Sequence, residues 1–156
     1  MTRFAKRGLA AAAALFLAAT TSQAGARACW GQTERRAIAV RVLQAELSIG
    51  ALACGTPEAY AAFVDRQSEE LRRHGGALAQ FYARNYGDRT GERKLNALMT
   101  RLANEASSRK SQWPTGYCDF VAALTHRAAS APPGGLADFA ANQPHARHAM
   151  GAQGCD

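Results

Sequence analysis

Candidate metal ligands lie close to the C-terminus of the chain. His145 and His148 are three residues apart, and Met150 and Cys155 follow them. Imidazole nitrogen and soft sulfur ligands together suit copper or zinc. The alternative is a solvated tail with two free histidines and a disulfide-bonded cysteine. His145 and His148 are therefore the candidate metal ligands of this sequence, and no other cofactor is expected.

A second group of polar residues lies on and just before a helical segment in the middle of the chain. The group consists of Tyr82, Tyr86, Asn104 and Glu105. If Asn104 or Glu105 faces the tyrosines, the four side chains line a polar cleft, and a perturbed carboxyl there would indicate an enzyme of unfamiliar type. The alternative is a solvated face, because Glu105 lies four residues from both Arg101 and Arg109, the spacing of a surface ion-pair ladder.

Known catalytic patterns do not occur in the sequence. It lacks GxSxG, HExxH, GxxxxGK and the glycine fingerprint of dinucleotide-binding folds. His74 and His126 would act as general bases only beside a nucleophile and an orienting group, and nothing in the sequence selects either partner. No catalytic residue is therefore assigned, and a non-catalytic role is favoured.

The four cysteines predict disulfides. Cys29, Cys54, Cys118 and Cys155 are an even set, and an exported chain with such a set is expected to form two bridges in one of three pairings. If residues 57–86 form one antiparallel limb, Cys54 meets Cys118 and Cys29 is left for Cys155. If the chain folds back at Gly75, Cys118 meets Cys29 instead. The first pairing is the favoured prediction.

Apolar residues at three- and four-residue steps predict the helices that would position these groups. The predicted helices are Thr33 to Ala53, with a face that includes Leu52; Pro57 to Tyr86, with a kink or break at Gly75-Gly76; Asp88 to about Lys110; Tyr117 to about Ala128; and a short turn from Leu136 to Ala141. The fold expected is all-α, a small disulfide-stapled bundle of four to five helices. The helix from Asp88 to Lys110 is expected near its centre.

The N-terminus has the pattern of a secretory signal peptide. Basic residues precede an unbroken apolar run from Leu9 to Ala19, and small residues follow it. We expect residues 1–24 to be the signal peptide, with cleavage between 24 and 28, residues 25–135 to be the helical domain, and residues 136–156 to be a Gly/Ala/His-rich tail. The mature protein is expected in the periplasm or secreted, with no later stretch apolar enough to span a membrane.

The charge pattern bears on the partner. The whole chain carries a formal net charge of +7, and removal of residues 1–24 takes away Arg3, Lys6 and Arg7 and no acid, which leaves +4. The remaining arginines alternate with acids, which is typical of a solvated surface and disfavours a nucleic-acid stripe. We expect a protein or an envelope component as the partner.

Part of the chain resembles a known group of proteins. The residues that carry the resemblance are Arg41-Val42-Leu43-Gln44, Ala51-Leu52-Ala53-Cys54-Gly55, Tyr60, Phe63-Val64, Tyr82, Tyr86-Gly87, and Leu102-Ala103-Asn104-Glu105-Ala106-Ser107. This pattern is similar to small exported bacterial proteins of unknown function. Some members carry a label of S-adenosyl-L-homocysteine hydrolase, but that enzyme is a much larger NAD-dependent protein whose glycine fingerprint is missing here. The resemblance implies an exported protein and supplies no site residues.

Overall fold

A computed structural model describes residues 29–146. These residues form six α-helices and no strand: α1 (Gln32–Cys54), α2 (Pro57–Arg66), α3 (Ser68–Tyr86), α4 (Asp88–Gln112), α5 (Tyr117–Ala129) and α6 (Leu136–Ala141). The all-α prediction is confirmed. The predicted signal peptide lies outside the described residues, as does the chain from 147 onwards.

The central helix is α1, which packs against all five other helices, whereas α4 packs mainly on α1 and α3. The prediction that the helix from Asp88 to Lys110 forms the centre is therefore wrong. The reason lies in composition, because α1 is buried on most of its circumference while α4 buries only a narrow stripe. A helix that is apolar nearly all round belongs inside a bundle.

Two core clusters lie on different sides of α1. The first joins α1 to α3 and α4 through Trp30, Ile38, Val42, Leu78, Phe81, Leu98 and Leu102. The second joins α1 to α2, α5 and α6 through Leu43, Leu47, Phe63, Val121, Leu124 and Leu136. Because α1 supplies residues to both clusters, it fixes the other helices relative to each other.

The limb between residues 57 and 86 breaks at Gln67, not at the glycine pair. The side-chain nitrogen of Gln67 donates to the carbonyl oxygens of Ala128, Ala129 and Ala131 at 3.3, 3.4 and 3.0 Å. These bonds tie Gln67 to the end of α5, where the last helix carbonyls lack intrahelical partners. The Ala128 oxygen also accepts from the Ala131 backbone N–H at 3.2 Å. Gly75-Gly76 continues as regular helix in α3, so the predicted kink there is wrong.

The disulfide between Cys54 and Cys118 ties the end of α1 to the start of α5, with the two Cα atoms 5.6 Å apart. It confirms the Cys54–Cys118 bridge of the favoured pairing. Cys29 is disulfide-bonded as well. Its expected partner, Cys155, lies outside the described residues, so that pairing stays a prediction.

Two details of α1 differ from expectation. The helix begins at Gln32 with Gly31 as its cap, one residue before the predicted Thr33. Leu52 was expected on the buried face but is 75% exposed. It lies in the last turn of α1, beside the disulfide, where the neighbouring helices no longer cover that side.

The bundle extends past the predicted domain boundary at residue 135. In α6, Leu136, Ala137 and Ala140 are buried, and Asp138 forms an ion pair of 2.9 Å with Arg36 of α1. Residues 136–146 therefore belong to the bundle and do not form a separate tail.

The helix α1 is also long and apolar enough to cross a membrane by length and composition, contrary to the expectation that no later stretch is. This is weak evidence for a span, because a core helix of a soluble protein passes the same test. More than half of its most apolar window is buried inside the bundle, at 56%. In the described structure this apolar surface contacts other helices.

Candidate functional site

A buried ion pair joins α1 to the last turns of α4. The side chain of Glu46 is 1% exposed, and that of Arg109 is 25% exposed. Glu46 Oε2 accepts a hydrogen bond of 2.6 Å from Arg109 Nε and a second bond from Nη2. Removing a carboxylate from water costs several kcal/mol, which only such close charge-assisted contacts offset. We call this contact the buried ion pair.

Two buried polar atoms beside it have no hydrogen-bond partner among the described residues. They are Glu46 Oε1 and the hydroxyl of Tyr117, whose side chain is 1% exposed. An unsatisfied buried polar group costs about 1–3 kcal/mol, so native proteins rarely leave two together without a purpose. Tyr117 and Glu46 interact through charge and hydrogen bonding, although no contact between them meets the normal geometry of a hydrogen bond. Burial first, and then the charge of Glu46, raises the pKa of Tyr117 well above its ordinary value.

Glu46 and Tyr117 both line a cavity of about 360 Å³. Its other walls include Trp113, Phe120 and His145. The ring of Phe120 lies 5.6 Å from the ring of Trp113 and 5.8 Å from that of His145, centroid to centroid. Trp113 is 48% exposed, so the aromatic wall reaches the surface. We call this cavity the Glu46 pocket.

The Glu46 pocket has no formal net charge at neutral pH. Glu46 and Arg109 cancel each other, and the phenol of Tyr117 keeps its proton. Burial and the nearby charge of Arg109 lower the pKa of His145, while Glu46 opposes this shift. The lowered pKa favours the neutral imidazole. Lys110 lies with its Nζ 5.7 Å from the centre of the Tyr117 ring and is not a wall residue of the cavity.

Three segments of the chain position these groups. The helix α4 ends at Gln112, and the turn that follows reaches Gly116, whose φ of +87° is a left-handed conformation that favours glycine. Tyr117 begins α5 directly after that turn, and the disulfide of Cys118 fixes this residue against α1. His145 comes from the segment after α6. The pocket therefore depends on the packing of the whole bundle.

The predicted polar cleft is present only in part. Tyr82 and Tyr86 do line a second cleft, on the side of α1 that faces α3 and α4. Asn104 is exposed and lies outside that cleft. Glu105 also lies outside it and pairs with Arg101 at 3.7 Å. The pairing with Arg109 that the spacing allowed is not formed, because Arg109 binds Glu46.

Of the two candidate metal ligands, only His145 lies within the described residues. His145 is a wall residue of the Glu46 pocket and not part of a solvated tail. His148, Met150 and Cys155 lie outside the described residues. Between residues 29 and 146, no group of three or more His, Cys, Asp or Glu side chains could hold a metal ion.

Sequence reasoning missed Glu46, although a signal was present. Glu46 is flanked by Ala45 and Leu47 and lies at helical spacing from Val42 and Gly50, which are both buried. An acid on the apolar face of a core helix needs a buried partner. That requirement singles out Glu46, but it does not identify Arg109, which lies 63 residues further along the chain.

The fold and the site together define a small all-α bundle with a disulfide and a buried ion pair open to an aromatic cavity. Comparison with protein-family models, curated proteins and solved structures found no match. The resemblance to small exported bacterial proteins therefore stays a prediction, and functional inference rests on the geometry of the site.

Proposed function

We propose that this chain is an exported periplasmic protein that binds an envelope component without catalysis, and that it holds a small neutral saccharide in the Glu46 pocket. One observation carries this proposal: Glu46 and Tyr117 line the cavity, and Glu46 Oε1 and the Tyr117 hydroxyl are buried without a hydrogen bond of normal geometry. A ligand that hydrogen-bonds to both atoms removes the cost of leaving them unsatisfied.

The chemistry of the two atoms selects the kind of ligand. A carboxylate oxygen only accepts hydrogen bonds, whereas a phenol both donates and accepts. A ring with adjacent hydroxyl groups serves both, since each hydroxyl can donate to Glu46 and accept from Tyr117. The neutral charge of the pocket gives a charged ligand no counter-ion, because Arg109 is already engaged by Glu46. These properties favour a neutral, hydroxylated ring.

The aromatic wall supports the same choice. Trp113 and Phe120 offer flat apolar surfaces, and binding sites commonly combine such surfaces with a few converging polar groups. The volume of about 360 Å³ is at the low end of ligand sites, which suits one small ring better than a long chain.

Two observations support export. The N-terminal sequence has the signal-peptide pattern, and the intramolecular disulfide between Cys54 and Cys118 is compatible with an extracellular location. An exported protein meets the sugars of the cell envelope. This agrees with an envelope component as the partner.

Binding is favoured over catalysis by the state of the carboxylate. Arg109 makes two bonds to one oxygen of Glu46, which leaves the other oxygen free to hold a ligand. Acyl transfer or hydrolysis would require a nucleophile or base in reach of a reacting atom, with a third group to orient it. The described pocket offers no serine or cysteine nucleophile among its wall residues.

The test uses the two tryptophans of the chain, because Trp113 lines the Glu46 pocket and Trp30 lines the second cleft. In nitrogen-15 NMR spectra each indole N–H gives one signal, and a Trp113→Phe variant assigns them. Glucose and N-acetylglucosamine are titrated against glucuronate and glucosamine as charged counterparts. We expect the neutral sugars to move the Trp113 signal and leave Trp30 unchanged, with no turnover of the bound sugar.

The decisive variant is Tyr117→Phe, which removes only the hydroxyl. Loss of one neutral hydrogen bond should weaken sugar binding about two- to tenfold. Since that hydroxyl has no protein partner, folding stability should be unchanged or higher. Tyr60→Phe, outside the pocket, is the matched control and should leave sugar affinity unchanged. Failure of both neutral sugars to move the Trp113 signal, or equal binding by the charged sugars, would refute the proposal.

A further inference from the structure

The second cleft has a different character from the Glu46 pocket. It has a volume of about 220 Å³ and lies between α3 and α4 at the N-terminal end of α1. Aromatic rings form much of its wall, and two cations of α4 lie among them: the wall includes Trp30, Phe81, Tyr82, Tyr86, Lys94 and Arg101. We call it the Tyr82 cleft.

Close packing of two helices builds the Tyr82 cleft. A Cβ atom on Gly91 would lie 2.5 Å from the carbonyl oxygen of Tyr82, so only glycine lets α4 approach α3 this closely. Lys94 follows one turn later, and its Nζ lies 4.6 Å from the centre of the Tyr86 ring. The rings of Tyr82 and Tyr86 stack with centroids 5.9 Å apart. The close approach therefore places a cation against a two-ring aromatic wall.

The second cation is available to a ligand. Arg101 lies seven residues after Lys94, on the same face of α4 and about 10 Å further along the helix axis. Its pair with Glu105 is 3.7 Å long, which exceeds a hydrogen bond, and its side chain is 45% exposed. Glu105 is not a wall residue, so both charged groups that line the cleft are positive.

We propose that the Tyr82 cleft binds a small carboxylate attached to a flat apolar ring. Arg101 would bind the carboxylate, since a guanidinium matches its two oxygens in a bidentate contact. The ring would lie on the apolar surface between the two cations, against Leu98 and the tyrosines. Lys94 adds positive charge at the far end of this surface. This site is separate from the sugar pocket, because the two share no wall residue.

The experiment compares benzoate with benzamide, which has nearly the same shape but no charge. Trp30 lies in the wall of the Tyr82 cleft, so its indole N–H signal reports binding there, while the Trp113 signal reports the other pocket. We expect benzoate to move the Trp30 signal and leave Trp113 unchanged. Benzamide should bind about tenfold or more weakly, as loss of a charged hydrogen bond implies.

Two matched variants of α4 complete the test. Arg101→Gln should weaken benzoate binding about tenfold or more and leave benzamide unchanged. Arg93→Gln is the control, because Arg93 is exposed, contacts Thr90 and does not line the cleft. Both changes fall on exposed residues, and circular dichroism checks that the helices are intact.

Three results would overturn the proposal. The first is equal binding of benzoate and benzamide, the second is an equal loss of binding in both arginine variants, and the third is no response of the Trp30 signal to benzoate. An equal loss in both variants would mean that the positive charge of α4 attracts benzoate in general and that Arg101 forms no specific site.

Discussion

Replacing Arg109 with methionine tests whether the buried ion pair holds α4 against α1. The Glu46 carboxylate is 1% exposed, so without Arg109 it would be buried with no counter-ion. Breaking a buried pair in this way costs about 3–5 kcal/mol. Because Arg109 is itself 25% exposed, some water reaches the pair, and we expect the low end, about 3 kcal/mol.

Replacing Glu46 instead of Arg109 should lower the free energy of unfolding by less. In Glu46→Met the partner left behind is Arg109, whose side chain can turn toward water from its partly exposed position. The double variant, Glu46→Met with Arg109→Met, removes both charges and fills the space with apolar atoms. We expect it within about 1 kcal/mol of the native protein, since such replacements are often neutral.

The assay is denaturant unfolding of the native protein, both single variants and the double variant at pH 7. Arg101→Met in the same helix is the control, because its pair with Glu105 is exposed at 45% and 41%. Exposed pairs contribute less than about 1 kcal/mol. If Glu46→Met were more destabilising than Arg109→Met, or if the single effects were additive in the double variant, our account of the pair would be wrong.

Three further predictions concern folding stability. Gly76→Ala should stabilise the fold by up to about 1 kcal/mol, since an added Cβ meets nothing within 4 Å. Gly50→Ala should destabilise it by about 1–3 kcal/mol, because its Cβ would lie 2.5 Å from a side-chain atom of α5. Thermal unfolding of both variants checks the contrast. Replacing Cys54 and Cys118 together with alanine should cost about 2–4 kcal/mol, measured by denaturant unfolding, because the bridge spans 64 residues of sequence. The lowered pKa of His145 means that the unfolded chain binds a proton more readily than the folded one. Its contribution to stability is therefore complete above about pH 6.5 and falls as the pH drops below that value. His145→Gln should reduce this acid sensitivity in pH-dependent melting curves, and an unchanged slope would contradict the assignment.

The helices were predictable because their signals are local. Apolar spacing gave five segments, and Gly55 marked the end of α1, where its φ of +68° closes the helix. The break at Gln67 was not predictable in the same way. Two glycines are the stronger local signal for a kink, but the side chain of Gln67 bonds to the end of α5, more than 60 residues away. A tertiary contact of that kind has no trace in the periodicity of the limb itself.

The candidate site shows the same division between local and distant information. Tyr82 and Tyr86 precede the predicted Asp88 helix directly, and both line the Tyr82 cleft. Glu105 lies outside the cleft and pairs with Arg101 in the preceding turn, one of the two contacts that the spacing of a surface ion-pair ladder allows.

The placement of both pockets follows from the burial of α1. A helix buried on most sides separates two core clusters, and each cluster has one of the two pockets as a gap beside it. The gap toward α3 and α4 receives cations, because α4 is the polar-rich helix whose exposed edge carries Lys94 and Arg101. The gap toward α5 receives the buried ion pair, because Glu46 is an acid on the central helix and Arg109 is the residue of α4 that reaches it. The helix α4 thus contributes charged residues to both pockets, Lys94 and Arg101 to the Tyr82 cleft and Arg109 to the Glu46 pocket.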